Sequence, residues 1–221
     1  MADGTVFVVD DDQAVRQSLD LLIKSVGLPV CTFASAQEFL DRFDPAQPGC
    51  LVLDVRMPGM SGLELQRQLK ERGIDIPVII VTGHGDVPIA VRAMKDGALE
   101  FLEKPFSKQM LLEHIRDALQ RDAVQRRARA KQVDISERLA ALTEREREVM
   151  ELVIAGKPSK LVAMELGISK KTVDVHRARV MQKLGVRSLP ELVELALAAR
   201  SRLQPAANGA ARPHPECPMP P

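Results

Sequence analysis

The sequence predicts an α/β domain built on a doubly wound parallel sheet, followed by a smaller domain that is entirely helical. In residues 1–120, short apolar runs alternate with amphipathic stretches, whereas beyond residue 142 apolar residues recur only at helical spacing. The charge changes sign between the halves: residues 1–120 carry 12 Lys and Arg against 18 Asp and Glu, and residues 121–221 carry 19 against 12. An acidic half that holds cations and a basic half that meets polyanions is the simplest interpretation.

The first domain is predicted to contain five repeats of a strand followed by a helix. Such repeats imply a parallel sheet, because the connecting helices cover its two faces. Ser35 and Glu38 have the spacing of a capping box at the start of the second helix. The strands are expected at Thr5–Val9, Val30–Phe33, Leu51–Leu53, Val78–Val81 and Leu99–Leu102, and the helices near residues 14–26, 36–43, 62–71, 86–96 and 107–120.

The second half is predicted to contain a linker, four helices and a tail. Its first stretch is rich in Ala, Arg and Gln and has no Gly or Pro, which is typical of a helical, mobile linker. Four helix starts are indicated by Thr143 with Glu146, by Pro158 with Ser159, by Ser169, and by Ser188 with Glu191. Residues 205–221 contain six prolines and little that could pack. The predicted domains are therefore 1–120, a linker at 121–142, a helical domain at 143–203 and a disordered tail at 204–221.

The composition predicts a cytoplasmic globular protein. No apolar run approaches the roughly 20 residues that a membrane span needs, and the start of the chain has no signal-peptide pattern. The cysteines are odd in number and form no C-x-x-C pair, so we expect Cys31, Cys50 and Cys217 to be reduced and structurally incidental.

Polar residues follow four of the five predicted strands. Ligands of an open parallel sheet bind beyond the carboxyl ends of its strands, so these residues are expected to share one edge. Crowded carboxylates repel each other unless a cation shares the site, and Mg²⁺ prefers carboxylate and phosphate oxygens. An aspartate beside such an ion can act as a nucleophile towards a phosphoryl donor. A single Asp or Lys-Pro after a strand is also a common turn former. The residues are Asp10, Asp11 and Asp12, then Asp54, Thr82, and Lys104 with Pro105.

Four segments of this domain together resemble the receiver domain of two-component response regulators. They read VVDDD, LDVRMPGMSG, TGHGD and FLEKPF, and they begin at Val8, Leu53, Thr82 and Phe101. The resemblance covers roughly residues 5–120 and implies a flavodoxin-like (βα)5 fold. It also implies that a sensor histidine kinase phosphorylates Asp54.

The receiver resemblance implies further roles for individual residues. Asp11 and Asp54 would bind Mg²⁺ directly, Asp10 would contribute to the acidic pocket, and the backbone carbonyl of Arg56 would be another ligand. Lys104 would contact the phosphoryl group, and Thr82 and Phe101 would form the switch pair. Since the aromatic switch residue is Phe rather than Tyr, switching must come from ring packing alone. His84 is either a general base or, as we favour, a loop surface residue.

The segment 159–178 has the anatomy of a helix-turn-helix, in which the second helix enters the major groove. Gly167 stands at its turn and Ser169 at the start of the second helix. Charged residues of that helix lie away from its apolar face, an arrangement that also fits a solvated surface. The stretches LTEREREV and GISKKTVDVHRARVMQKL resemble the LuxR-type helix-turn-helix, and HRARVM with SLPELV resembles the FixJ branch. The candidate DNA contacts are Lys160, Ser169, Lys170, Lys171, Thr172, Asp174, His176 and Arg177.

The resemblance also implies partners and a mode of activation. We expect double-stranded DNA and RNA polymerase as partners, and a homodimer when the protein is phosphorylated. The dimer surface is expected within residues 86–102, at Ile89, Val91, Arg92 and Lys95. Apolar residues of the last helix could pair two helical domains or simply form the core, namely Leu192, Leu195, Ala196 and Ala199.

We expect the protein to regulate transcription, and more specifically to activate it. Two other classes of function compete with this hypothesis. Haloacid dehalogenase-like phosphatases also form an aspartyl phosphate, but they need a second Asp two residues after the nucleophile, where this chain has Arg56. A receiver that acts only through protein partners is the third hypothesis. It would be favoured if residues 143–203 alone failed to bind DNA.

Overall fold

The computed structural model describes residues 4–83 and 87–200. His84 and the tail at 204–221 lie outside the described residues. Within the described residues, the chain divides between Ala128 and Arg129 into two compact units. The predicted domain boundaries at residues 120, 142 and 203 stay predictions.

The first unit contains the predicted doubly wound sheet, which is thereby confirmed. All strand pairs are parallel and the strand order is β2-β1-β3-β4-β5, as in flavodoxin-like folds. The strands are β1 (Thr5–Val9), β2 (Val30–Phe33), β3 (Gly49–Leu53), β4 (Val78–Thr82) and β5 (Glu100–Glu103). The helices that begin in this unit are α1 (Gln13–Ser25), α2 (Ala36–Arg42), α3 (Gly62–Glu71), α4 (Val87–Lys95) and α5 (Lys108–Ala140).

Alternate residues of the strands enter two separate cores, one on each face of the sheet. One core contains Phe7, Leu51 and Ile80, which pack with α2 and α3. The other contains Val8 and Val52, which pack with α1 and α5. The two faces follow from the period of two along a strand, and helices cover both faces of a parallel sheet.

Helix α5 differs from the prediction in its length. A helix near residues 107–120 and a separate helical linker were expected, but one helix runs from Lys108 to Ala140 without a break. Asp122 of α5 is buried and accepts hydrogen bonds from Gly49 N at 2.9 Å and from Arg126 Nε at 2.8 Å. The Arg126 guanidinium also donates to three backbone carbonyls of the loop before β3, those of Pro45, Ala46 and Gln47.

The second unit contains α6 (Glu144–Ile154), α7 (Ser159–Leu166), α8 (Lys170–Leu184) and α9 (Leu189–Arg200). Thr143 and Glu146 form the predicted capping box, and Gly167 and Gly185 end their helices with positive φ. The core is made by apolar residues of all four helices, among them Val149, Val162, Val173 and Leu192. The predicted helical domain is therefore confirmed.

An ion pair between Lys183 and the buried Glu146 carboxylate joins the end of α8 to the start of α6. Glu146 is 3% exposed, and its carboxylate accepts a hydrogen bond from Lys183 Nζ at 2.7 Å. The Lys183 hydrogen bond and the Thr143 backbone N–H together lower the pKa of Glu146 to about 2. The same carboxylate therefore caps α6 and holds the C-terminal end of α8.

Candidate functional site

Two buried carboxylates lie side by side at the carboxyl edge of the sheet. Asp10 follows β1 and Asp54 follows β3, and the preceding residues, Val9 and Leu53, are partners in the parallel register. Asp54 N donates to Val9 O at 2.9 Å, which holds the two strand ends together. The residues are only 3% and 7% exposed, so both carboxylates need polar partners inside the fold.

Lys104, which follows β5, supplies such a partner for both carboxylates. Its Nζ lies 2.7 Å from Asp10 Oδ2 and 3.1 Å from Asp54 Oδ1. Its backbone N donates to the carbonyl of Thr82 at the end of β4. The ammonium group of Lys104 thus links the carboxyl ends of β1, β3 and β5.

The protonation of these groups is set by burial and by their mutual contacts. Burial raises the pKa of Asp54 above its ordinary value, although the hydrogen bonds from Lys104 and from Arg56 N act in the opposite direction. Burial acts to lower the pKa of Lys104, but its hydrogen bonds to Asp10 and Asp54 outweigh this and raise it. Lys104 therefore stays cationic at neutral pH.

The turn between β1 and α1 separates the three consecutive aspartates. Asp12 is exposed and caps α1, because its carboxylate accepts hydrogen bonds from Ala14 N and Val15 N. It does not join the pocket, in contrast to the expected cluster of strand-end carboxylates. Asp11 is exposed beside Asp10. Among residues 4–83 and 87–200, no three His, Cys, Asp or Glu side chains are grouped as a metal cage.

The loop after β3 packs tightly against Asp54. Arg56 N donates to Asp54 Oδ2 at 2.6 Å, while the Arg56 side chain is exposed. Gly62 lies so close to the Asp54 backbone that a Cβ atom there would stand 2.0 Å from the Asp54 carbonyl oxygen. Only glycine fits at this position, and the hydrogen bond from Arg56 N holds the Asp54 carboxylate.

Thr82 and Phe101 lie on neighbouring strands of the sheet. Thr82 ends β4 and is 1% exposed, and Phe101 is half-buried and packs against the core on one face. Phe101 pairs in register with Ile80, two residues before Thr82. The two residues are therefore close along the sheet, as the receiver resemblance implies.

Helix α4 carries the four residues expected at a dimer surface. Val91, Arg92 and Lys95 are exposed, whereas Ile89 is half-buried and packs against the core. Two apolar residues that the sequence reasoning did not select, Val87 and Met94, are 76% and 46% exposed. The exposed apolar residues of α4 are therefore Val87, Val91 and Met94, whereas Ile89 is less exposed than a dimer surface there would require.

The candidate DNA contacts divide into exposed and packed residues. Lys160, Ser169, Lys170, Lys171, Thr172 and Asp174 are exposed. The Ser169 hydroxyl caps α8 by accepting from Thr172 N at 3.1 Å. Arg177 is half-buried and donates to the Ser159 hydroxyl at 3.0 Å, so it holds α7 against α8. The half-buried His176 has its Nδ1 atom buried without a hydrogen-bond partner among the described residues.

Two residues near the candidate sites were not predicted from the sequence, one on α8 and one beside Asp10. Val175 is 44% exposed and shares one helix face with Lys171 and Asp174. Arg16, on α1, donates from Nη1 to the carbonyl of Asp10 at 2.7 Å. A single arginine on an amphipathic helix carries no sequence signal for such a contact.

The apolar residues of α9 serve the core of their own unit. Leu192 and Ala196 are buried, Leu195 packs against the same core, and Ala199 is half-buried. Two large apolar residues of this helix are exposed, Leu189 at 39% and Leu197 at 58%. In the described part of the chain, no helix has both the length and the apolar character needed to cross a membrane.

Two family models match the two halves of the chain. Residues 6–116 match the response regulator receiver domain, and residues 140–196 match the luxR family of bacterial regulatory proteins. The transcriptional regulatory protein FixJ of Azorhizobium caulinodans is 50% identical over 88% of this chain and 92% of its own. The response regulator protein TodT of Pseudomonas putida is 46% identical over 87% of this chain and 85% of its own.

The chain is also similar to solved structures of response regulators over most of its length. The response regulator StyR is 52% identical and superposes with a TM-score of 0.84 over 88% of this chain and 98% of that one. Full-length FixJ from B. japonicum is 46% identical, with a TM-score of 0.56 over 91% of this chain and 99% of that one.

Proposed function

Since the chain belongs to the FixJ-type response regulators, and is therefore a phosphorylated transcription regulator with a LuxR-type helix-turn-helix, we propose that Asp54 is its phosphoacceptor. One observation carries this proposal: Asp54 is buried at the end of the central strand, with Lys104 joining it to Asp10. The sensor histidine kinase that donates the phosphoryl group is the implied partner of the receiver domain.

The proposed reaction is transfer of a phosphoryl group from a phosphohistidine. An Asp54 carboxylate oxygen bonds to phosphorus while the P–N bond breaks, and the leaving imidazole nitrogen keeps the electron pair and takes up a proton. Lys104 lies against the same carboxylate, so its charge would offset the negative charge of the transferring oxygens.

The pocket suits Mg²⁺, which receiver domains generally bind in their acidic pocket. Asp10 and Asp54 turn oxygens towards one ammonium group, and two carboxylates exceed its single charge. We assign Asp11, Asp54 and the Arg56 carbonyl as ligands, with Asp10 completing the acidic pocket. Bound Mg²⁺ would neutralise phosphoryl oxygens and complete its shell with water, which agrees with a site of few carboxylates.

Thr82 and Phe101 are the proposed route from the phosphoryl group to the surface. The Thr82 hydroxyl would move towards the phosphoryl oxygens, and the Phe101 ring would enter the space that it leaves. That change would reshape β5 and the neighbouring α4, the helix that carries Val91, Arg92 and Lys95. The proposed result is a homodimer that binds promoter DNA, recruits RNA polymerase and activates transcription in the cytoplasm.

We expect phosphorylation to convert the protein from a monomer to a dimer. Exposed apolar and basic groups of α4 would form a symmetric contact, and paired helix-turn-helix domains would bind two half-sites through effective concentration. Sedimentation of untreated and beryllofluoride-treated protein at equal concentration measures the change. Arg92→Glu or Lys95→Glu should keep the treated protein monomeric while Asp54 is still phosphorylated. An unchanged mass in the treated wild type would contradict the dimer model.

The exposed residues of α8 should separate affinity from sequence preference. Lys170→Ala or Lys171→Ala should weaken binding to all DNA alike and lower the salt dependence by about one charge. Asp174→Ala should instead relax sequence preference, since a carboxylate can accept from cytosine N4 but gains nothing from phosphates. Lys131→Ala, an exposed change outside 159–178, is the matched control. Identical selected sequences for Asp174→Ala and wild type would refute the base-reading role.

The two competing functions receive less support. The FixJ relatives at 50% and 47% identity are transcriptional regulatory proteins, and the position two residues after Asp54 holds Arg56 rather than the acid/base Asp of a phosphatase. The match of residues 140–196 to the luxR family favours DNA binding over a simple dimer adaptor.

A further inference from the structure

The turn that carries Asp10, Asp11 and Asp12 is held at both ends. At its start, Asp10 N donates to Phe33 O at 3.3 Å, and Asp10 Oδ1 accepts from Asp12 N at 2.9 Å. At its end, the Asp12 carboxylate accepts from Ala14 N at 2.7 Å. These contacts fix the aspartates on either side of Asp11.

Asp11 itself is held only through its backbone. Its side chain is exposed, and no described residue donates a hydrogen bond to its carboxylate. Its direction therefore depends on the peptide unit that joins it to Asp10, because that planar unit contains both the Asp10 carbonyl and the Asp11 N–H.

Arg16 contacts that peptide unit. It lies on the first turns of α1, is half-buried, and donates from Nη1 to the Asp10 carbonyl oxygen at 2.7 Å. Its own backbone N donates to Asp12 O at 3.0 Å, so the helix carrying the guanidinium is anchored to the same turn. A charged donor makes a stronger hydrogen bond than a neutral one, which suits it to fixing a single peptide plane.

We infer that Arg16 is a positioning residue for the proposed cation site: by fixing the Asp10–Asp11 peptide, it aims the Asp11 carboxylate at the cation. This inference rests on the proposed function of the acidic pocket, and it extends that function to a residue outside the pocket. Arg16 touches neither Asp54 nor the phosphoryl group in this role and acts only through the backbone of Asp10.

Charge and positioning predict opposite effects when Arg16 is removed. A positive charge near a cation site repels the cation, so loss of charge alone would tighten Mg²⁺ binding. Loss of positioning would weaken it, and removal of hydrogen bonds that orient metal ligands typically costs about 10- to 100-fold in affinity. The sign of the change therefore separates the two roles.

Calorimetric titration of the full-length protein with Mg²⁺ is the test. We expect Arg16→Ala to weaken Mg²⁺ binding about tenfold. Arg16→Lys should weaken it less than Arg16→Ala does, because lysine keeps one charged donor. Lys24→Ala removes an exposed charge on the same helix, where Lys24 pairs with Asp20 at 2.8 Å, and should leave the affinity unchanged. Phosphorylation from acetyl phosphate provides a second readout. Arg16→Ala should need a higher Mg²⁺ concentration for half-maximal rate, whereas its rate at saturating Mg²⁺ should differ less from the wild-type rate.

Two results would overturn the inference. Mg²⁺ affinity of Arg16→Ala within twofold of wild type, or tighter, would exclude positioning; melting in the absence of Mg²⁺ checks that this variant is folded. Equal weakening of Mg²⁺ binding in Arg16→Ala and Lys24→Ala would show that the contact with the Asp10 carbonyl is not the cause, and it would also remove the inference while leaving Asp54 phosphorylation intact. Failure of the wild-type protein to bind Mg²⁺ or accept phosphate would instead overturn the proposed function itself.

Discussion

Asp54→Asn is expected to reduce phosphorylation of the full-length protein to background. The asparagine amide keeps the size of the carboxylate and can still contact Lys104, but its oxygen is not a nucleophile towards phosphorus. Incorporation of labelled phosphate from acetyl phosphate, together with its release by hydroxylamine, measures acyl phosphate at this residue. The expected effect is a complete loss of reaction.

The matched control for this change is Asp20→Asn. Asp20 is also a half-buried carboxylate paired with a lysine, but it lies in the middle of α1 and not at a strand end. We expect the Asp20→Asn protein to incorporate labelled phosphate at the wild-type rate. Label retained in Asp54→Asn at the wild-type level would show that another residue accepts the phosphoryl group.

Arg126→Ala is expected to destabilise the first unit by ~3 kcal/mol, the lower end of the cost of breaking a buried ion pair. The lower end applies because the Arg126 side chain is 28% exposed. The Asp122 carboxylate, 4% exposed, would keep only the hydrogen bond from Gly49 N, and the carbonyls of Ala46 and Gln47 would lose their donor. Calorimetric melting of the full chain measures the loss in the transition of the first unit.

The neighbouring residue provides the control for this change. Arg127 has the same chemistry and helix propensity, but it is exposed. Arg127→Ala should therefore leave the transition almost unchanged. Combining Arg126→Ala with Asp122→Asn should recover part of the loss, because the buried charge is then removed together with its partner. Equal melting of Arg126→Ala and Arg127→Ala would mean that the network contributes nothing measurable.

Much of the fold could be predicted because it depends on local patterns. Apolar runs of strand length placed the five strands to within two residues, and glycines with positive φ end α7 and α8 where expected. Caps were equally readable, since a hydroxyl and the N–H three residues later are always close at a helix start. Ser35 caps α2 in this way, although the Glu38 carboxylate accepts from Ala34 N rather than from Ser35 N.

The extent of α5 could not be predicted from local patterns. The sequence of residues 121–142 is as compatible with a separate mobile linker as with a continuation of the helix. Asp122 meets Gly49 across 73 residues of sequence, and Arg126 meets the Ala46 carbonyl across 80. Contacts of this separation exist only once the sheet has brought the loop before β3 against α5.

The sequence by itself determined the architecture, the residues that follow each strand and the position of the second helix of the helix-turn-helix, because helical and strand periods and caps are properties of neighbouring residues. Only the tertiary structure decided how those residues divide their work. Asp10 and Asp54 share Lys104, whereas Asp12 turns away to cap α1. Arg177 packs on Ser159 while Lys171 and Asp174 stay exposed. These assignments depend on which side chains come into contact in the folded protein, and the separation of two residues in the sequence does not determine whether they come into contact.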